Sequence, residues 1–167
     1  MSTVAVRLGF VGTGGIANRH LGCAQRHDNM EIVATCDVML ERAQEAADKY
    51  GGTAYQDFVE MYDKEQPDAI VICTPPFAHG DIEAEAAGRG IPFFVEKPVA
   101  ISMEMASLLA NTLPKRRGLR PYTEPEHGEQ TTSPVLPRSV RSTKSNVAMY
   151  GGAQGEAELI WNAIMER

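Results

Sequence analysis

Apolar and polar positions fall in alternating blocks along the first two thirds of the chain, and the blocks change period. Val4 to Val11 is a near-continuous apolar run, the pattern of a strand covered on both faces. It runs into Gly12-Thr13-Gly14-Gly15, after which Ile16, Ala17, Leu21 and Ala24 share one helical face. Ile32 to Cys36 predicts a second strand that ends at Asp37. Leu40, Ala43, Ala47 and Tyr50 predict a helix from about Val38, stopped by Gly51-Gly52. A short strand over Thr53–Tyr55 and a brief helix marked by Phe58, Met61 and Tyr62 come next. Ala69 to Cys73 is a fourth strand, and a helix over about Ala78 to Ala87 is closed by Gly88 and Gly90. Ile91 to Val95 is the fifth strand. Ser102 caps a last helix, with Glu104 in its first turn and Met105, Leu108 and Leu109 toward the sheet. This alternation predicts an α/β fold over 1–112: a doubly wound parallel Rossmann sheet of five strands, with ligands at the carboxyl ends.

The pattern then stops. Pro114 to Asn146 holds five prolines and seven basic residues, with apolar side chains only at Leu119, Tyr122, Val135, Leu136 and Val140. Such a segment buries too little surface to offset its ordering entropy, so 113–167 reads as a low-order tail. Within it, Val147 to Tyr150 has strand character, and Ala157, Ile160, Trp161 and Ile164 predict a short helix over about 156–166.

Composition narrows the class. The 43% apolar and 23% charged content is that of a soluble globular protein. No apolar run has the length of a membrane span, and no signal-type segment opens the chain, which predicts a cytoplasmic protein without membrane partners. The net charge of −6 divides into −8 over 1–110 (8 basic, 16 acidic) and +2 over 111–167 (8 basic, 6 acidic). Nothing in the first part suggests a nucleic-acid surface, and Lys115-Arg116-Arg117 reads as a solvated loop. Cys23, Cys36 and Cys73 lack metal-type spacing, so no metal site is expected, and Cys36 and Cys73 read as core thiols of a reducing compartment.

The candidate chemistry starts at the glycine turn. Gly12 permits a tight turn, Gly14 lets the backbone approach a pyrophosphate, and the small Ala17 lets helix and strand pack closely. The free N–H groups at Gly14, Gly15 and Ile16 and the positive end of the helix dipole face the anion. Asp37, ending the second strand, is placed to accept both hydroxyl protons of an adenosine ribose and to repel a 2′-phosphate. That favours NAD over NADP, although Arg42 is within reach of a 2′-phosphate, and Asp37 also reads as a helix N-cap. A methyltransferase using S-adenosylmethionine is disfavoured, because Phe10 stands where its motif usually carries an acid.

Two further segments sit at strand ends on the same rim, Thr74-Pro75-Pro76-Phe77-Ala78-His79 and Glu96-Lys97-Pro98. Phe93, Phe94, Val95 and Pro98 flank Lys97, which predicts a partly desolvated ammonium suited to acid/base work. The plainer reading is a surface lysine paired with Glu96. His79 reads as a helix-start residue, and His20, on the buried face of the first helix, as a maker of a structural hydrogen bond.

Taken in order, Gly12-Thr-Gly14-Gly-Ile-Ala17-x-x-His20, Asp37, Thr74-Pro75-Pro76-x-x-His79 and Glu96-Lys97-Pro98 resemble the N-terminal domain of the Gfo/Idh/MocA family, the glucose–fructose oxidoreductase and inositol dehydrogenase relatives. The resemblance implies NAD or NADP as cofactor and a sugar or polyol as small-molecule substrate. It implies a cofactor cleft formed by Gly12, Gly14, Gly15, Ile16, Asp37, Arg42, Thr74, Pro75, His79, Glu96 and Lys97. It makes Lys97 the catalytic residue, touching substrate and nicotinamide ribose and assisting proton transfer.

The resemblance covers roughly residues 4–112. Family members continue into a sixth strand, which here should begin near Gly118, where prolines disqualify it. A second domain then brings an Asp-x-x-x-His acid/base, which has no counterpart after residue 112, with His127 a poor substitute. The resemblance therefore implies a chain truncated or frameshifted after about residue 112: a weak enzyme, a non-catalytic dinucleotide-binding or regulatory module, or a product without function. It would also leave the fifth strand as an apolar edge that the tail covers, that pairs with a second chain, or that aggregates.

Overall fold

A computed structural model describes residues 5–112 and 148–150. Strands β1 (Val6–Val11), β2 (Met30–Cys36), β3 (Thr53–Tyr55), β4 (Ala69–Ile72), β5 (Phe93–Val95) and β6 (Ala148–Tyr150) form one sheet in the order β3-β2-β1-β4-β5-β6. Every neighbouring pair is parallel. The crossovers are the helices α1 (Gly15–Ala24), α2 (Leu40–Tyr50), α3 (Phe58–Glu65) and α4 (Asp81–Gly88), and α5 (Met103–Thr112) follows β5.

Successive strand residues point to opposite faces, and both faces are apolar. Leu8, Phe10, Ile32, Val71 and Phe94 pack on one face with Ala17, Leu21 and Ala24 of α1 and Ala46 of α2. Val11, Val33, Ile70, Ile72, Phe93 and Val95 pack on the other with Met61 and Tyr62 of α3 and Ile82 and Ala86 of α4. Leu8, Phe10, Leu21, Ile72 and Met61 are wholly buried, and each such side chain contributes roughly 1.5–3 kcal/mol. That packing, rather than helix propensity, holds the short helices in place.

Local chemistry sets the boundaries. Asp57 caps α3, its Oδ1 accepting from the N–H groups of Val59 (2.7 Å) and Glu60 (3.0 Å). The Ser102 Oγ accepts from Met105 N at 3.2 Å and starts α5. Pro75 and Pro76 open a 3-10 turn over Pro76–Ala78, so α4 begins at Asp81, later than Ala78. β5 begins at Phe93, after Pro92, which has no N–H to give to a ladder.

Three apolar helix positions were misplaced by spacing alone. Ile16, Leu40 and Leu108 are 39%, 44% and 43% exposed. Ile16 and Leu40 lie in the first turn of their helices, out beyond the sheet, while Ala46 takes the buried place on α2. Helix α5 packs on α4, and Leu109 is buried.

The five expected strands are present, all parallel. The sheet does not end at β5: Ala148–Tyr150 pairs with it through Phe93↔Ala148, Phe94↔Met149 and Val95↔Tyr150. Of the three fates open to the β5 edge, the fold takes the one in which the tail covers it. The expected helix over 156–166 and His127 lie outside the described residues.

Candidate functional site

Parallel strands deliver their ends to one rim. Gly12 N donates to Cys36 O (2.8 Å), Cys73 N to Val11 O (2.7 Å) and Glu96 N to Ile72 O (2.9 Å). These bonds continue the ladder one residue past the strands and bring Gly12, Asp37, Thr74 and Glu96 onto one edge. β1 lies between β2 and β4, where the winding of the sheet reverses and a crevice opens.

Gly12 is fixed by its surroundings. Its φ is +86°, and a Cβ there would lie 2.7 Å from the Cys73 carbonyl carbon and 2.9 Å from Thr74 N. Gly14 and Gly15 are the opposite case, since a Cβ on either would meet nothing within 4 Å. The fold of this chain does not require glycine there; a group lying close to the backbone would. Gly14 is the N-cap of α1 and offers no side-chain cap, which leaves the first N–H groups of the helix free for an anion.

The turn is braced from behind. Asn18 Nδ2 donates to Thr13 O (3.1 Å) and Gly14 O (3.0 Å), and Tyr50 Oη donates to Asn18 Oδ1 (3.1 Å). Asp37 Oδ2 accepts from both Thr13 N and Thr13 Oγ1, each at 3.0 Å, and Oδ1 accepts from Met39 N at 3.0 Å. The carboxylate thus ties β2 to the glycine turn and supports the entry to α2, where Met39 is the N-cap residue. An ionised carboxylate has about four acceptor positions, so capacity for a hydroxyl remains.

A cleft of about 340 Å³ opens beside the turn, lined by Thr13, Gly14, Gly15, Asn18, Arg42, Glu45, Ala46 and Lys49. Arg42 and Lys49 place two cations at an opening backed by free backbone N–H groups. Sequence reading found Arg42 and missed Lys49, although seven residues along a helix return to the same face. It also missed Thr13 and Asn18, whose work is to hold the turn.

On the β4 side, Pro75 precedes the 3-10 turn, and Thr74 Oγ1 is buried without a hydrogen-bond partner among the described residues. His79 is buried, with Nδ1 bonded to the carboxylate of Glu83, whose second oxygen accepts from Gly80 N at 2.7 Å. His79 Nε2 is left buried and unpartnered among the described residues.

The β5 end departs from expectation. Lys97 is exposed, because Phe93, Phe94 and Val95 turn their side chains into the two core faces and do not cover the ammonium. Glu96 pairs with His20 across the sheet, Nε2 to Oε1 at 2.7 Å, instead of with Lys97. The structural hydrogen bond expected of His20 is therefore present, and Glu96 is its partner. The Lys97–Pro98 peptide is cis.

The three cysteines are free and buried. Burial, with Asp57 and Asp37 nearby, pushes the Cys36 thiol up to about 12, and burial raises Cys73 further. No described helix is long and apolar enough to cross a membrane.

Comparison with known proteins agrees with this geometry. Residues 6–120 match the family described as "Oxidoreductase family, NAD-binding Rossmann fold". Glucose-6-phosphate 3-dehydrogenase of Bacillus subtilis is 29% identical over 106 residues, 64% of this chain and 30% of its own length. Inositol 2-dehydrogenase of Salmonella typhimurium is 32% identical over 102 residues, 59% of this chain and 30% of that protein. The WlbA dehydrogenase of Bordetella pertussis, solved with NADH and UDP-GlcNAcA, is 30% identical with a TM-score of 0.61, covering 65% of this chain and 33% of that one. The chain thus spans about 30% of the length of these curated relatives. It belongs to the Gfo/Idh/MocA oxidoreductase family and carries that family's NAD-binding Rossmann domain.

Proposed function

We propose that the rim of β1, β2, β4 and β5 binds a nicotinamide dinucleotide, NAD in preference to NADP, as the cofactor half of a dehydrogenase acting on a sugar or polyol hydroxyl. The observation that carries this reading is the glycine turn. Gly14 and Gly15 leave open space in front of uncapped helix N–H groups, while Asp37 is locked beside them by Thr13. Gly14, Gly15 and Ile16 would hold the pyrophosphate through backbone N–H groups. Asp37 would accept from the adenosine ribose, and Arg42 would determine how much 2′-phosphate is tolerated. Thr74 and Pro75 would line the cleft, and the buried Thr74 hydroxyl would gain a partner there.

The dinucleotide, when bound, supplies a hydride acceptor. The exposed Lys97 is the chain's candidate to orient a substrate hydroxyl and help move its proton. Water would have to be excluded around it by groups beyond Phe93, Phe94 and Val95, which face the core. The buried free thiols fit a reducing, cytoplasmic setting.

A second reading, a dinucleotide-binding module without turnover, is favoured by one observation. Both histidines near the rim are withdrawn from solvent, His20 bonded to Glu96 and His79 bonded through Nδ1 to Glu83. His27 lies at the entry to β2, on the opposite edge. Incubating the full chain with NAD and a panel of inositols and glucosides separates the two. NADH formation that is lost in Lys97→Ala supports the dehydrogenase, and binding without turnover supports the module.

A further inference from the structure

His20 and Glu96 are 76 positions apart, yet their side chains meet at 2.7 Å with only 10% and 13% of their surfaces exposed. His20 stands on α1, the helix that carries the glycine turn at its start. Glu96 follows β5 and precedes Lys97. The His20 ring also lies edge-on to Phe94, with centroids 5.3 Å apart. One side of the imidazole is thus fixed by a strand residue, and its Nε2 by the residue before Lys97. Backbone bonding holds Glu96 N to Ile72 O at 2.9 Å, but the described side-chain bonds tie the β5 end to α1 only through this pair.

From this juxtaposition we propose that His20 and Glu96 are a positioning pair, a cross-sheet strut that sets Lys97 relative to the glycine turn. The inference rests on the dinucleotide reading above and adds to it a device for aligning the two ends of the site. His20 acts only through Glu96, and Glu96, expected in the cofactor cleft, has one carboxylate oxygen committed to His20. The pair is nearly dry, so removing one partner strands the other's polar group in the interior. The segment after β5 would then be released without a change at the glycine turn itself. A strut of this kind predicts a specific defect: the dinucleotide still docks, but Lys97 no longer meets it.

The test uses the full chain and a readout independent of turnover. Lysines are acetylated with a small acylating reagent, with and without saturating NADH, and modification of Lys97 is read by mass spectrometry. In the wild type, NADH is expected to slow Lys97 acetylation at least fivefold. Glu96→Ala and His20→Ala should lose most of that protection, and His20→Ala should do so while binding NADH within about threefold of wild type. Glu96→Gln, which keeps an acceptor, should restore it. Asp57→Ala, which removes the α3 cap on the far side of the sheet, is the control for general destabilisation and should keep full protection. If an alanine variant does not fold, His20→Phe, which keeps a ring of similar size but has no nitrogen to meet Glu96, replaces it and is held to the same loss. Protection retained in folded Glu96→Ala or His20→Phe, or lost equally in Asp57→Ala, overturns the strut and leaves the dinucleotide reading standing. Failure of the wild type to bind NADH overturns that reading, and the strut with it.

Discussion

Asp37 holds Thr13 twice, through the backbone N–H and through the hydroxyl, both at 3.0 Å to the same carboxylate oxygen. The residue that follows β2 therefore shapes the turn that follows β1. Thr13→Val keeps the volume and the backbone bond but removes the hydroxyl. It should cost about 0.5–1.5 kcal/mol of stability and weaken NADH binding several-fold. Urea unfolding and fluorescence titration measure the two effects, and unchanged values for both would detach Thr13 from the site.

Asp37→Ala separates cofactors. Removing the carboxylate takes away the ribose acceptor and the charge that opposes a 2′-phosphate, leaving Arg42 and Lys49 in the cleft. The ratio of NADPH to NADH affinity should rise by about tenfold, which is ~1.4 kcal/mol. A ratio that stays constant contradicts the role given to Asp37.

The glycines should respond in opposite senses. Gly12→Ala forces a side chain into φ +86° and against the Cys73 carbonyl. The conformational strain alone costs about 1–3 kcal/mol, and the fold should be visibly weakened. Gly15→Ala opens α1 with a better helix former in free space, so stability should rise by up to about 1 kcal/mol. Yet NADH affinity should fall, because the methyl group occupies the space beside the backbone. A Gly15→Ala variant that binds NADH as well as wild type would remove the anion-cradle argument.

Alkaline pH should destabilise the fold. Burial holds the Cys36 thiol protonated up to about 12, from an ordinary value near 9. Above pH 9 the unfolded chain loses a proton that the folded chain keeps, so stability present below that value drains away as pH rises toward 12. The slope is roughly 1.4 kcal/mol per pH unit for each such thiol, and Cys73 is shifted in the same direction. Urea midpoints at pH 8, 9 and 10 should fall progressively, and Cys36→Ala should flatten the fall. Equal midpoints across that range would show the thiols to be exposed.

Much of this was legible in the sequence because it is local. The apolar runs of β1, β2 and β4 have no alternative to a doubly covered sheet, and Thr53–Tyr55 is framed by Gly51-Gly52 on one side and by the Asp57 cap on the other. Gly12 and Asp37 were readable because a turn before a helix and an acid after a strand are fixed by neighbours in sequence. Lys97 misled because flanking apolar residues suggested a dry ammonium, whereas strand alternation sends Phe93, Phe94 and Val95 into the core and leaves the next turn outside. Ile16 and Leu40 misled because the first turn of a helix overhangs the sheet. The His20–Glu96 pair has no local signal at all, since it depends on the lateral placement of α1 over β5.

The dinucleotide site itself is tested most directly by titrating the full chain with NADH and NADPH and following cofactor fluorescence. Saturable NADH binding at one site, tighter than NADPH and weakened by Gly15→Ala, is the expected result. No saturable binding of either cofactor would contradict the site, and tighter NADPH binding would contradict the part given to Asp37.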